Sequence, residues 1–192
     1  MTKPLPITSA VNTLSCRAFA CDLGQVLVAA TPRGIAAVLL GDDVAALEQD
    51  LARRFSDCSV NCAPSATQQR WMECVVQVLQ QPQLAETILA EMPLHLLTGT
   101  ALQRKVWAAL QTIAVGQTRS YTELAQAMGQ PQAVRAIASA CGANPCAVIV
   151  PCHRVLRSDG GWGGYRWGLQ RKRWLLQQEG VMAQMELDVA AK

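Results

Sequence analysis

SYTELAQAMGQPQAVRAIASAC, residues 120–141, is the stretch with the clearest boundary signals in the chain. Ser120 and Glu123 have the spacing of a capping box, which predicts that a helix begins at Ser120. This helix should be short, because Gly129 suits the position that follows a helix C-terminus. Pro131 fits the first turn of a second helix that fills the rest of the stretch. Two helices joined by a tight glycine-containing turn are typical of helix-turn-helix DNA-binding proteins.

The second of these helices offers mostly small residues and one long cation. Arg135 is flanked by Ala133, Val134 and Ala136. A helix that reads base edges normally carries several Arg, Asn or Gln side chains. The small residues therefore predict either a close approach to the DNA backbone or minor groove, or a tight packing surface against another helix. The sequence leaves both readings open.

An apolar run downstream ends at a proline and is followed by a cysteine and a histidine. Val148–Val150 predicts a buried strand, and Pro151 would hold Cys152 on a rigid base, which suits a positioned nucleophile. Cysteine attacks as the thiolate, and His153 is the candidate for the group that promotes thiolate formation. The alternative is a buried structural cysteine beside an exposed histidine.

The rest of the C-terminal half shows boundary signals of the same kind. A capping box at Thr100–Gln103 predicts the start of another helix. Residues 157–168, RSDGGWGGYRWG, predict a glycine-rich loop or hairpin that can approach a ligand closely. A last helix is expected over Leu169–Glu179. Its inward face is assigned to residues 174–176, which leaves the cations 171–173 outside that face.

Three apolar runs near the N-terminus are separated by turn residues. These runs, Cys16–Ala20, Gln25–Ala30 and Gly34–Leu40, predict antiparallel strands joined by hairpins. Helical periodicity follows over residues 42–55 and 68–79. The expected fold class is α/β: a small N-terminal α/β domain with an antiparallel sheet and helices, then a mostly helical winged helix-turn-helix domain. The expected boundaries are residues 1–95, 96–180 and a C-terminal tail 181–192.

Charge is distributed unevenly along the 192 residues. Residues 1–95 carry six Lys and Arg against nine Asp and Glu, whereas residues 96–192 carry eleven against five. A basic half indicates a polyanionic partner. No run is apolar and long enough to cross a membrane, and the N-terminus lacks the apolar core of a signal peptide. The eight irregularly spaced cysteines are expected to be reduced thiols in the cytoplasm. No metal site is expected, because Cys58 and Cys62 are only loosely ligand-spaced.

Four motifs follow one another in the C-terminal half: Asn144-Pro145, Pro151–Val155, Gly164–Gly168 and Glu179-Gly180. In order and spacing they resemble the O6-alkylguanine-DNA alkyltransferase (methylated-DNA–protein-cysteine methyltransferase) family in its Ada-like form. The resemblance runs from about residue 100 to residue 180. It implies a DNA repair protein that flips O6-alkylguanine, with O4-alkylthymine as a further candidate, out of duplex DNA. The zinc-binding portion that Ada carries upstream is not matched, so a stand-alone repair protein is expected.

The resemblance implies a role for each of five residues in alkyl transfer. Cys152 would attack the alkyl carbon on the guanine oxygen, and His153 would take the thiol proton through a bridging water. Glu179 would orient and charge the imidazole. Tyr121 would donate its phenol proton toward the guanine nitrogen N3. Asn144 would tie the turn below the helix-turn-helix to the active-site strand.

The resemblance also implies how DNA is held. Arg135 would fill the space left by the flipped base, while Ala133, Val134, Ala136 and Tyr121 would lie against the DNA. An S-alkylcysteine is a thioether that water does not cleave, so each molecule would act once and without a cofactor. The expected partner is double-stranded DNA, with a monomeric protein and no membrane or protein partner. The base pocket would comprise Val155, Tyr165, Arg166, Trp167 and Cys141.

Two rival functions remain at this stage. One is an alkyltransferase-like protein that binds damaged DNA without transfer, but those relatives lack the acceptor cysteine that Cys152 would provide. The other is a cysteine-based hydrolase or redox sensor on a winged-helix scaffold. Repeated turnover would favour the hydrolase, and binding without a gain in mass would favour the DNA binder.

Overall fold

The computed structural model describes residues 13–90 and 92–181, so most of the predicted tail lies outside the described residues. The N-terminal part is a mixed sheet in the order β3-β2-β1-β4. The three predicted strands are confirmed as antiparallel neighbours. A short fourth strand, which the sequence did not predict, pairs in parallel with β1. The strands are β1 (Thr13–Cys21), β2 (Gly24–Thr31), β3 (Gly34–Gly41) and β4 (Ser59–Asn61).

Two helices cover the N-terminal sheet. In α1 (Val44–Arg54), the Asp43 side chain accepts a hydrogen bond from the third backbone amide, which is why the helix begins there. A capping box of Ser65 and Gln68 starts α2 (Ala66–Gln80) slightly earlier than the periodicity predicted. The apolar faces of both helices are buried against the strands. The expected connector after α2 instead contains a 3-10 turn and the short helix α3 (Ala85–Ala90).

The connector then runs beside the free edge of β3. Ile35 exchanges backbone hydrogen bonds with Pro93 and His95, at 2.9 and 2.8 Å. A Cβ atom on Gly34, where φ is +150°, would lie 2.3 Å from the Pro93 carbonyl oxygen. Only glycine permits this close approach of the two backbones. The contact fixes the path by which the chain leaves the sheet and enters the C-terminal half.

The C-terminal half contains the predicted helix-turn-helix. The capping boxes at Thr100 and Ser120 are both present, so two of the helices begin where the sequence predicted. The buried face of α6 (Val134–Gly142) packs on α4 (Ala101–Leu110), where the Trp107 indole donates a hydrogen bond to the Ala140 carbonyl at 2.8 Å. Its opposite face leaves Arg135 exposed. The elements are α4 (Ala101–Leu110), β5 (Arg119–Ser120), α5 (Tyr121–Ala127), α6 (Val134–Gly142), β6 (Val155–Leu156) and α7 (Leu169–Gln178).

The prediction of a strand over Val148–Val150 is wrong. These residues form buried turns, and Val148 has a φ of +68°. Their backbone is satisfied within turns: the Ile149 and Val150 amides donate to the carbonyls of Ala147 and Cys146, and the Asn144 side chain donates to the Val150 carbonyl. Apolar residues are therefore buried here without a ladder of strand hydrogen bonds.

One hydrophobic cluster includes residues of both halves. Arg171 of α7 also links them, since it donates to the Leu23 carbonyl at 2.8 Å and to Asp42 at 2.5 Å. The predicted boundary at residue 95 stays a prediction. None of the helices in the described part of the chain is long and apolar enough to cross a membrane.

Candidate active site

A cavity of about 1320 Å³ opens between the helix-turn-helix and the glycine-rich loop. Cys152 is part of its wall, although only 5 % of the residue is exposed. The cavity therefore gives a ligand access to a thiol that is otherwise enclosed by protein. The predicted site residues that line it are Tyr121, Val134, Arg135, Cys141, Cys152, Tyr165, Arg166 and Trp167.

The Cys152 thiol is held in a 3-10 turn that follows Pro151. The Asn144 amide nitrogen lies 3.2 Å from its sulfur and 2.7 Å from the Val150 carbonyl oxygen. The Asn144 side-chain oxygen accepts from the Cys146 amide at 2.9 Å. Asn144 thus connects the end of the helix-turn-helix to the thiol. Burial raises the pKa of Cys152 to about 11, and the Asn144 hydrogen bond and a nearby lysine charge oppose that rise.

His153 and Glu179 form a buried pair behind the thiol. The His153 Nε2 atom lies 2.9 Å from a Glu179 carboxylate oxygen. An ionised carboxylate only accepts hydrogen bonds, so Nε2 carries the proton and Nδ1 keeps its lone pair. Nδ1 is buried and has no hydrogen-bond partner among the described residues. Burial lowers the pKa of His153, although the hydrogen bond to Glu179 and the charge of that carboxylate act to raise it. A neutral imidazole with a free lone pair is suited to accept a proton, and the alternative of an exposed histidine is wrong.

Arg154 completes this pair, and the sequence reasoning assigned it no role. Its guanidinium donates to both carboxylate oxygens of Glu179, each at 2.9 Å, and to the Ile113 carbonyl at 2.5 Å. Burial alone would raise the pKa of Glu179, but His153 and Arg154 hold it at about 2. Glu179 is therefore charged throughout the physiological range.

Lys172 was also missed, because the cations of α7 were all assigned outside its inward face. The side chain is instead fully buried, and its ammonium donates to the Val155 carbonyl at 2.6 Å and the Trp162 carbonyl at 2.5 Å. Burial lowers the pKa of Lys172 to about 8. Its helical spacing from Leu175, Leu176 and Glu179, all buried, is the sequence signal that could have revealed this.

Tyr121 lies at the start of α5, lines the cavity and packs closely against the glycine-rich loop. A Cβ atom on Gly163, where φ is +65°, would lie 3.0 Å from the phenol ring. Any larger residue at Gly163 would therefore press on Tyr121. Burial raises the pKa of Tyr121 to about 12, with the Cys141 and Cys152 thiols contributing. The phenol stays protonated and can donate a hydrogen bond into the cavity.

The loop places an aromatic cluster beside the thiol. The Tyr165 ring lies edge-on to His153, with centroids 6.4 Å apart, and 5.2 Å from the Trp167 ring. Trp167 is only 7 % exposed. Arg166 is exposed and donates to the Gly142 carbonyl at 3.2 Å. Val155 is buried and does not line the cavity, so its predicted part in the base pocket stays a prediction.

The outer face of α6 carries the predicted DNA-binding residues. Arg135 and Ala136 are exposed, and Ala133 and Val134 are half-buried. Val134 and Arg135 also line the cavity, so this helix joins the outer surface to the thiol pocket. Residues 13–90 and 92–181 contain no cluster of three or more His, Cys, Asp or Glu side chains that could hold a metal ion.

Residues 101–181 match the family model described as the DNA-binding domain of 6-O-methylguanine DNA methyltransferase. A methylated-DNA–protein-cysteine methyltransferase of Candida albicans is 36% identical over 179 residues, covering 89% of this chain and 99% of that protein. The transcriptional activator and DNA repair enzyme Ada of Escherichia coli is 48% identical over 159 residues, covering 83% of this chain. The chain spans only 43% of the length of that Ada protein. The crystal structure of Mycobacterium tuberculosis OGT in complex with DNA is similar, with a TM-score of 0.64, 31% identity and coverage of 86% of this chain and 92% of that one.

Proposed function

This chain belongs to the methylated-DNA–protein-cysteine methyltransferase family, and from that premise we propose that it repairs O6-alkylguanine in duplex DNA by moving the alkyl group to Cys152. The observation that carries the proposal is the position of this thiol. It lies in the wall of a cavity between the helix-turn-helix and the aromatic loop, and the next residue in the chain, His153, is paired with Glu179.

The transfer begins with loss of the thiol proton. The proton of Cys152 passes to the His153 Nδ1 lone pair through a water molecule, and the charge of Glu179 stabilises the imidazolium. A resting pKa of about 11 means that the thiol is protonated until a substrate occupies the cavity. The imidazolium, Asn144 and Lys172 then favour the thiolate.

The thiolate attacks the alkyl carbon in line with the bond to the guanine oxygen. The carbon–oxygen bond breaks as the carbon–sulfur bond forms, and the electron pair leaves with guanine. Tyr121 donates its phenol proton toward guanine N3 and improves the leaving group. The product is a thioether, which water does not cleave, so Cys152 is consumed in one turnover. No step requires a cofactor.

DNA binding is assigned to α6 and the basic half of the chain. The Arg135 side chain is exposed beside the mouth of the cavity, where it can occupy the stack after the damaged base has rotated out. The excess of eleven cations over five anions in residues 96–192 attracts the phosphate backbone. The OGT structure with DNA supports DNA as the partner. We further expect a monomer in the cytoplasm, where eight free thiols remain reduced.

The mass of the intact protein tests this proposal directly. After incubation with duplex DNA that contains O6-methylguanine, the protein should gain one methyl group and then stop. Cys152→Ser should gain none while still binding the duplex. Cys141→Ser is the matched control, because Cys141 lines the same cavity, and it should still be methylated.

Three results would contradict the proposal. Methylation of Cys152→Ser would show that another residue accepts the alkyl group. Repeated turnover would indicate a hydrolase, and tight binding without any gain of mass would indicate a protein that recognises damage without repairing it.

A further inference from the structure

Two thiols meet on the N-terminal sheet, far along the chain from the candidate active site. The sulfur atoms of Cys16 and Cys62 lie 4.0 Å apart. Cys16 belongs to β1, and Cys62 follows the last residue of β4. The parallel pairing of these strands ends at Ser15 with Asn61, so Cys16 and Cys62 are the next residues in register.

The backbone at this point has the geometry that a disulfide requires. Neighbouring strands lie about 4.8 Å apart, and a disulfide joins Cα atoms separated by roughly 4.4 to 6.8 Å. The sulfur atoms can therefore meet by side-chain rotation without a change in the sheet. Cys62 lies beyond the end of β4, where ladder hydrogen bonds no longer hold its backbone.

The two thiols differ in access to solvent. Cys62 is exposed, whereas Cys16 is only 2 % exposed and lies behind it. Both border a cavity of about 370 Å³ whose wall also includes Arg17, Glu48 and Gln69. A small oxidant in this cavity reaches the Cys62 sulfur first and finds the Cys16 sulfur in contact with it.

We propose that Cys16 and Cys62 form a reversible oxidation site that closes a disulfide when a hydroperoxide enters this cavity. The Cys62 thiol loses its proton and its sulfur attacks a peroxide oxygen, which breaks the oxygen–oxygen bond. The leaving oxygen takes the electron pair and a proton and departs as an alcohol or water, so that Cys62 becomes a sulfenic acid. The Cys16 sulfur loses its proton and attacks the Cys62 sulfur, and the sulfur–oxygen bond breaks with release of water. The hydroperoxide is reduced by two electrons and the two thiols are oxidised by two.

The second step should be the slower one and should depend on pH. Burial raises the pKa of Cys16 to about 12, with contributions from Cys62 and Glu48. Few Cys16 thiolates exist near neutrality, so closure should become faster as the pH rises toward that value. The disulfide closes residues 17–61 into a loop, which restricts the unfolded chain and should raise the melting temperature by several degrees.

The active-site thiol should be spared by the same treatment. Cys152 is 5 % exposed and its pKa of about 11 keeps it protonated, so a stoichiometric dose of peroxide should react at Cys62 first. The oxidised protein is therefore expected to retain its capacity to take up a methyl group from damaged DNA. Retained methyl uptake would show that the peroxide had oxidised the Cys16–Cys62 pair and not the acceptor thiol of Cys152.

The experiment uses the full chain, fully reduced and then treated with one equivalent of hydrogen peroxide. The intact mass should fall by two hydrogen atoms per chain, and proteolysis after thiol blocking should yield one cross-linked peptide containing Cys16 and Cys62. Dithiothreitol should restore the original mass. Cys62→Ser is the main variant, because Cys62 is exposed. This variant should show neither the loss of mass nor the cross-linked peptide. Cys58→Ser, which removes a nearby half-buried thiol, should still form the cross-link.

A trapping measurement checks the order of the two steps. In Cys16→Ala, the Cys62 sulfenic acid should persist and be captured by dimedone, whereas the parent should give little adduct. An equal mass loss in Cys62→Ser would overturn the proposal. So would accumulation of sulfinic acid at Cys62 in the parent without any cross-link.

Discussion

At the scale of single residues, Lys172 adds to the site a buried charge that the sequence reasoning did not include. Its ammonium touches two backbone carbonyls, and its charge lowers the pKa of Cys152. Lys172→Met keeps the length of the side chain and removes the charge. We therefore expect alkyl transfer at pH 7 to be slower, by about tenfold for each unit by which the pKa of Cys152 rises.

The pH dependence distinguishes this electrostatic role from a structural one. The pKa of Lys172 is about 8, so the parent loses the charge above that pH and its advantage over Lys172→Met should shrink. Lys105→Met removes an exposed lysine of α4 and should leave the rate unchanged. A rate deficit that is constant from pH 6 to pH 10 would show that Lys172 acts only by supporting the loop.

Trp167 lines the cavity in which a bulky alkyl group on guanine is expected to lie. The indole is buried against Tyr165 and lines the cavity, rather than stacking on Arg166 at the surface. Overfilling a close-fitting site costs about 1–3 kcal/mol. We therefore expect rapid reaction with O6-methylguanine in DNA and poor reaction with free O6-benzylguanine. Trp167→Gly should be inactivated by benzylguanine at least about tenfold faster than the parent.

Trp162→Gly is the matched control for this prediction. Trp162 belongs to the same loop but stacks on Arg173 and does not line the cavity. Its loss should leave the benzylguanine rate unchanged. Crowding by Trp167 is not the cause of the selectivity if benzylguanine inactivates Trp167→Gly no faster than the parent. The same conclusion follows if Trp167→Gly and Trp162→Gly are both inactivated faster to the same extent.

At the scale of elements, α6 is the second helix of the helix-turn-helix, and its two faces differ. One face packs on α4 and the other carries Arg135, so the two readings of its small residues are both compatible with the structure. If Arg135 supports the flipped state, Arg135→Ala should slow repair of duplex DNA at least tenfold, because a flipped base costs a few kcal/mol. Reaction with the free modified base should be nearly unchanged.

Arg119→Ala provides a control for charge alone, since Arg119 is another exposed cation of the basic half. Arg119→Ala should weaken duplex binding modestly. It should not alter the ratio between the rate of duplex repair and the rate of reaction with the free modified base. If Arg135→Ala slows repair of duplex DNA and reaction with the free modified base equally, Arg135 is a structural residue of the helix.

The elements also show what local sequence signals can and cannot predict. Thr100 and Ser120 begin helices as predicted, because a capping box is satisfied within four residues. Val148–Val150 looks like a strand, yet its amides bond within local turns and its Val150 carbonyl accepts from the Asn144 side chain. The bonds of β3 in this region go to the neighbouring Pro145 and Ala147 instead. Cys152, His153 and Glu179 could be predicted as a group only through the family resemblance. The buried pairing of Arg154 depends on tertiary packing, which no local pattern encodes. The burial of Lys172 could have been inferred from its helical spacing to buried positions of α7.

At the scale of the whole molecule, the Glu179 cluster joins segments that are distant in the chain. Glu179 follows α7, Arg154 and His153 lie beside β6, and Ile113 follows α4. The carboxyl group has a pKa of about 2 in the folded protein, compared with 4.5 in the unfolded chain. A depressed pKa contributes stability above pH 4.5, and this stability is lost as the pH falls through the folded value. The shift corresponds to about 3 kcal/mol.

Acid should therefore weaken the contacts that hold the His153 imidazole in place. Glu179→Gln should be less stable than the parent at pH 7, and the difference between their urea midpoints should narrow as the pH is lowered from 5 toward 2. Glu123→Gln is the control, because Glu123 caps α5 at the surface and its loss should change stability little. If the urea midpoints of Glu179→Gln and the parent differ by the same amount at every pH, the prediction is wrong. The cluster would then stabilise the fold through packing, and its charge would matter for the imidazolium formed during transfer but not for folding.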